Sequence, residues 1–242
     1  MAEISIDTVY QRVLALANKE QRGYITPQEF NLLANHAQMD IFEQYFYDLN
    51  QFDRGKGNDL EYSDMLNILE EKISVFEKFK VAMSAISGNQ TTLPTDTYRL
   101  GTVFYAAGSY DVEVEKVGKK ELEYMLRTSL AAPVDTRPVY VRKSDTLLKI
   151  FPSSPSTSYT TANITCNYIA KPATVKWTYN VVNDNALYNS SASDAQNFEL
   201  HQSEETELVY KILELAGITL NKPGLAQLAG TEDLQKVQNE KL

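Results

Sequence analysis

The sequence predicts an α+β fold, and three observations lead there. Apolar residues recur at helical spacing through residues 1–90, that spacing gives way at Thr91 to short β-branched and aromatic runs, and it returns after Asn197. The expected organisation is a helical N-terminal module over residues 1–90, a small, mostly antiparallel β-rich module with an inserted helix over 91–197, and a helical C-terminal segment over 198–242. The C-terminal segment is expected to pack on the helical module or on a neighbouring subunit.

The first helix follows Ile4, Ser5 and Ile6, with Val9, Val13, Leu14 and Ala17 at helical spacing, and is expected to end at the polar cluster 18–23. The second has the clearest start. Thr26 as N-cap, Pro27 at the first helical position and Glu29 behind it make a capping box with the preferred proline. Phe30, Leu33, Ala37, Ile41, Tyr45 and Leu49 then give one apolar stripe. Two glycines in DRGKGND, residues 53–59, break it, and a third helix is predicted on Leu60, Met65, Leu69, Ile73, Phe76 and Phe79.

Strands are predicted over residues 98–107, 110–117, 139–141, 146–151, 163–169 and 175–179, each bounded by Gly, Pro, Ser or Asp. Leu122, Met125, Leu126 and Leu130 place a helix over 119–130, inside the strand region. The polar run 153–163 reads as an exposed loop or tip, and 180–196 as a linker of low hydrophobicity. In the C-terminal segment Ser203 is expected to cap a helix bearing Leu208, Ile212, Leu213 and Leu215, with Gly217 ending it. Pro223 and Gly224 then turn into a second helix with Leu225, Leu228, Leu234 and Val237, a stripe thin enough to need a neighbour for burial.

A hydrophobic content of 43%, a charged content of 23%, 10 Gly and 8 Pro are ordinary globular values, which excludes a disordered or collagenous chain. The single cysteine, Cys166, gives no internal disulfide and no thiolate metal cluster. No stretch approaches the length of a membrane span and the first residues lack a secretory pattern, so the reading expects a soluble protein that is not secreted. A net charge of −9 with no sustained basic run argues against gripping nucleic acid. An acidic surface does suit a protein that surrounds DNA without holding it, because like charge keeps the polymer sliding.

The most tempting ligand pattern resembles a calcium loop. Asn18, Glu20, Gly23 and Glu29 fall at positions one, three, six and twelve, but Arg22 at position five puts a cation where an oxygen ligand belongs. The simpler reading of Glu29 is the capping box, so no metal or other cofactor is expected; Asn18, Glu20 and Glu29 remain a weak alternative. The histidines, His36 and His201, lack partners at zinc spacing, and Cys166 alternates with Ile164 and Tyr168 as a small buried hydrophobe does. Glu70 with Glu71, and Glu204 with Glu205, read as solvated helix faces. No nucleophile, phosphate-loop or dinucleotide motif occurs, so no enzyme is expected. Fifteen Tyr against one Trp is the compositional oddity, and it points to aromatic interface use with Tyr45, Tyr47 and Trp177, together with Leu225 and Leu228, as candidates.

Several segments taken in order resemble a known group. ITPQEFN at 25–31 and ANHAQMDIF at 34–42 resemble the openings of virion proteins of tailed phages, especially crAss-like and related podovirus-type phages. LPTDTYRLGTV at 93–103 is similar to the entrance to the β-region of phage head-to-tail connector proteins. YIAKP at 168–172, NFEL at 197–200 and ELVYKILELAGI at 207–218 look like their closing section. The resemblance implies a structural neck protein without catalytic residues, forming a ring of a dozen or so copies. It also implies portal protein and other neck or tail rings as partners, with DNA passing through the channel unbound and no membrane contact. Its place would be the neck or tail region of the virion, and the host cytoplasm during assembly. The alternatives are a calcium-binding module on two degenerate EF-hand-like loops, the one starting at Asn18 and a second starting at Asp53, or another minor tail or virion protein.

Overall fold

The computed structural model describes residues 3–18, 25–54, 60–86, 88–106, 110–152, 163–183, 185–219 and 231. The chain mixes helix and sheet in an α+β fold. It divides into two compact units, a helical one formed by Met1–Val75 with Pro172–Leu242 and a β-unit formed by Phe76–Lys171.

In the helical unit α1 spans Ile6–Asn18, α2 Pro27–Arg54 and α3 Leu60–Ser74. The capping box at the start of α2 is formed. The Glu29 amide donates to Thr26 Oγ1 at 3.3 Å, and Glu29 Oε2 accepts from the Thr26 amide at 2.9 Å. α2 buries a wider band than the single stripe predicted. Ala34, Gln38, Phe42 and Phe46 lie buried beside Phe30, Ala37, Ile41 and Tyr45, while Leu33 and Leu49 are only half-buried. Neighbouring elements cover α2 over more than one row of side chains, and hydrophobic spacing alone does not report how many neighbours a helix has.

The third helix does not run through Phe76 and Phe79. It ends at Ser74, and the next residues become β1, Glu77–Ala82, followed after Met83 by β2, Ser84–Ile86. The chain from Phe76 has apolar residues compatible with either period, and pairing with distant strands decides between them. The β-unit therefore starts at residue 76 rather than 91. Its remaining elements are β3 (Gln90–Thr92), β4 (Thr97–Ala106), β5 (Asp111–Lys116), α4 (Lys119–Arg127), β6 (Val139–Arg142), β7 (Leu147–Phe151) and β8 (Ile164–Ala170). They form one eight-stranded sheet in the order β1-β8-β4-β5-β6-β7-β3-β2. Every pair is antiparallel except β5 with β6, and α4 lies within the crossover that a parallel pair requires.

The first and last strands of that order are consecutive halves of one chain segment, separated only by Met83. The Met83 amide donates to the Ile164 carbonyl at 3.0 Å, and β2 goes on to pair with β3. The sheet thus curls until its edges meet, which removes the exposed edges that invite aggregation. Met83, Val103, Val114, Tyr140, Leu148 and Ile150 fill the interior, with Ile164 and Cys166 beside them. Closure depends on bulges around Asn167 in β8. Phe79 and Lys80 of β1 lie opposite it on one side, and Gly101 and Thr102 of β4 on the other. Lys80 takes a left-handed backbone (φ 50°), and its amide donates to Asn167 Oδ1 at 2.9 Å.

Gly101 is fixed by the same crowding. A Cβ there would sit 3.0 Å from the Asn167 carbonyl oxygen, a backbone atom that cannot swing aside. Gly101→Ala is expected to destabilise the β-unit by about 1–3 kcal/mol, measured by urea denaturation, whereas a neutral result would mean that the barrel wall relaxes there.

Residues 172–219 return to the helical unit. They contribute β9 (Tyr179–Val182), β10 (Asn185–Tyr188), a short 3-10 turn at Gln202–Glu204 and α5 (Glu205–Thr219). Five expectations are corrected here. The β-rich region stops at Lys171 rather than 197. The segment expected as a strand over 175–179 has a single bridge, Lys176 with Gln196, before β9 begins, and residues 180–196, expected as a linker, hold most of an antiparallel hairpin. Ser203 lies inside the 3-10 turn, where the His201 side chain accepts from its amide. Gly217 lies within α5 rather than ending it. α5 packs against α1 and α2 through Leu208, Val209, Ile212, Leu213 and Ala216.

Extended residues 173–177 run along α2 and are held by amide side chains instead of a strand. Asn31 Oδ1 accepts from the Trp177 amide at 2.7 Å, and Asn31 Nδ2 donates to the Trp177 carbonyl at 3.2 Å. Asn35 makes the same pair of bonds to Val175, both at 2.9 Å, and Gln38 Nε2 donates to the Ala173 carbonyl at 2.8 Å. Four helical residues rise about 6 Å, close to the roughly 6.6 Å of two extended residues. Asn31 and Asn35, four apart on the helix, therefore meet alternate peptides, and Gln38, three residues further on, reaches the next with its longer side chain, so these backbone groups are satisfied.

Candidate functional site

The sequence-derived interface candidates separate once placed. Trp177 is 2% exposed and Tyr45 4% exposed, so both belong to the core of the helical unit and neither offers interface surface, whereas Tyr47 is 68% exposed. The correction at Trp177 has a local cause. Its ring lies 4.3 Å from that of Tyr10 and stacks at 5.7 Å on both Tyr179 and Tyr188, the facing pair at the base of the hairpin. Its indole N–H donates to Asp7 at 2.9 Å. Leu225 and Leu228 lie outside the described residues.

The calcium-loop positions fare similarly. Asn18 is the last residue of α1, Glu20 lies outside the described residues, and Glu29 is engaged with Thr26, whose amide and hydroxyl hold its carboxyl below the usual carboxylate range. Among the described residues no three His, Cys, Asp or Glu side chains gather as a metal site would need. Cys166 is buried in the barrel, and burial pushes its thiol up to about 11. At neutral pH the thiolate is absent, so iodoacetamide is expected to leave Cys166 unmodified in the native protein at pH 8 and to label it in denaturant. Labelling of the native protein at the denatured rate would contradict the burial. Glu204, expected on a solvated face, is 1% exposed and pairs at 2.8 Å with Lys72 of α3.

Among the described residues a cleft lies in the barrel wall. β4 pairs with β5 only between Val103 and Ala106, because β5 passes to β6 at Glu115 and Lys116 while the first half of β4 stays with β8. The strands part there and leave a cleft of about 440 Å³. Leu100, Val103 and Val114 form its apolar part, and Arg99, Lys116, Arg142, Glu113, Tyr98 and Tyr140 supply its polar groups. Alternation places two of the cations. Lys116 is the register partner of Tyr140 and Arg142 that of Leu148, so both continue the core-facing rows to the end of the strand. A barrel row that turns from apolar to cationic marks the point where the interior opens.

Arg142 is held in position by the turn that follows it. Its Nε donates to the Ser144 carbonyl at 3.3 Å, and its Nη2 to the Asp145 carbonyl at 2.6 Å and Asp145 Oδ1 at 3.0 Å. Tyr140 is 5% exposed; burial pushes its hydroxyl up while the Arg142 cation pulls it back. On β8, beside Leu100, the Tyr168 hydroxyl donates to both oxygens of Asp96, and burial together with that carboxylate pushes it up to about 12.

Sequence reasoning missed this cleft. The usable signals were Val112, Val114 and Lys116, and Tyr140 with Arg142, alternating rows that each end in a cation. Charge is also divided between the units. The helical unit holds 11 Lys/Arg against 23 Asp/Glu, net −12, and the β-unit 12 against 9, net +3.

Exposed apolar side chains concentrate on the β9–β10 hairpin, where Val181, Val182 and Leu187 are about half or more exposed, and on α4 with its following turn, at Tyr124, Leu126 and Leu130. Among the described residues no helix is long and apolar enough to cross a membrane. The chain matches no protein-family model and no curated protein.

Proposed function

We propose that this protein is a non-enzymatic structural virion protein, a ring-forming subunit of the phage neck that joins portal to tail around the DNA channel. The supporting observation is the division of charge, −12 on the helical unit and +3 on the β-unit. A closed ring is made of heterologous contacts, in which one face of a copy meets a different face of the next. Opposite net charges on the two units favour that arrangement over contacts between like faces. The acidic unit also offers DNA a surface to slide past rather than adhere to.

In this reading the N-terminal helices, Tyr47 and the C-terminal segment with Leu225 and Leu228 contribute to subunit contacts. The β-unit with its inserted helix meets the neighbouring copy, and portal protein and adjoining tail rings cover the two ends of the ring. The purified chain should form closed rings with portal protein, seen by native mass spectrometry and negative-stain electron microscopy, and these should loosen as salt is raised. A chain that stays monomeric at every concentration and ionic strength with portal present would overturn the reading.

A further inference from the structure

We propose that the cleft between β4 and β5 is a binding site for a small molecule carrying a phosphate group. Its polar lining is unbalanced. Arg99, Lys116, Arg142 and the tyrosine hydroxyls supply donors and positive charge, against the carboxylate of Glu113 in the lining and that of Asp145, which pairs with Arg142. Among the described residues Lys116 makes no ion pair, and the Tyr140 hydroxyl, on a residue buried to 5% exposure, has no hydrogen-bond partner although it lines the cleft. With no protein partner, that hydroxyl is left to donate to whatever occupies the cleft. The complementary group is therefore anionic and rich in acceptor oxygens.

A phosphate supplies three such oxygens, and arginine and lysine are the side chains that grip it, one as a planar fork and the other as a point charge. Arg142 already has its orientation fixed by the Ser144 and Asp145 contacts, so little ordering remains for a ligand to bring about. About 440 Å³ is far more than a phosphate fills, and falls within the roughly 300–1,000 Å³ of small-molecule sites. The surplus volume leaves room for a body attached to the phosphate, with Leu100 the apolar lining side chain that is not fully buried. None of this depends on ring formation, so either reading can fail without the other.

The test is titration of the full chain with phenyl phosphate, inorganic phosphate and phenol at physiological salt, followed by amide chemical shifts and calorimetry. Phenyl phosphate should bind saturably, inorganic phosphate more weakly and phenol not at all, with shifts confined to residues 99–103, 114–116 and 140–142. Lys116→Gln should weaken phenyl phosphate by about tenfold, and Tyr140→Phe, which keeps the buried ring, by about fivefold. Lys116 is solvent-exposed, so that variant is expected to fold normally, and thermal melting checks both. No saturable binding at millimolar phenyl phosphate, shifts elsewhere on the chain, or unchanged binding by both folded variants would overturn the proposal.

Discussion

Replacing Lys72 with Met should lower the stability of the helical unit by about 3–5 kcal/mol, because it leaves a buried carboxylate without its cation. Glu204 is 1% exposed, and its Oε1 lies 2.8 Å from the Lys72 ammonium, which also sits over the Tyr45 ring at 5.9 Å. Met fills much of the lysine stem's volume, so the loss reports the charge rather than a void. At this chain length the thermal midpoint should fall by roughly 10 °C, readable by circular dichroism. The double exchange Lys72→Met with Glu204→Leu should recover much of the loss, since an apolar pair of similar volume often does as well as a buried ion pair. A single variant that melts with the wild type would show that water reaches the pair.

The second large effect is expected at Trp177. Trp177→Ala should cost about 3–5 kcal/mol through the cavity it leaves between Tyr10, Tyr179 and Tyr188. Trp177→Phe should cost only about 1–2 kcal/mol, chiefly the charge-assisted bond to Asp7. Hydrogen exchange would localise the damage. Amides of α2 and of residues 173–177 should lose protection in Trp177→Ala, while the β8 amides of the β-unit keep theirs. Equal loss in both units would mean that they unfold as one, contrary to the way their contacts divide.

Local chemistry made part of this fold legible. Thr26, Pro27 and Glu29 announce the start of α2 with groups a few residues apart, and α4 shows its own period between strands. Failures occurred where distant residues decide. Glu77 to Ala82 is strand because β8 pairs with it from some ninety positions away. The segment 175–179 is expected as a strand, yet residues 173–177 find their partners in the side chains of Asn31, Asn35 and Gln38 of α2. Trp177 and Tyr45 were assigned to surfaces from composition, and composition carries no direction. The cleft was invisible because its cations lie on three different strands, and only the parting of β4 from β5 assembles them.

One backbone contact bears on how the chain reaches this state. Ala170 donates to the Phe76 carbonyl at 2.8 Å, so the β-unit begins and ends side by side. To the helices, a folded barrel is a short tether, whereas the same 76–171 stretch unfolded is a long floppy spacer that α2 and residues 173–177 must close across. Shrinking that spacer to a few residues relieves roughly 3 kcal/mol of closure entropy. The barrel is therefore expected to form first and to hand the helical halves to each other, and its excision with a short splice should leave a helical remnant that still assembles.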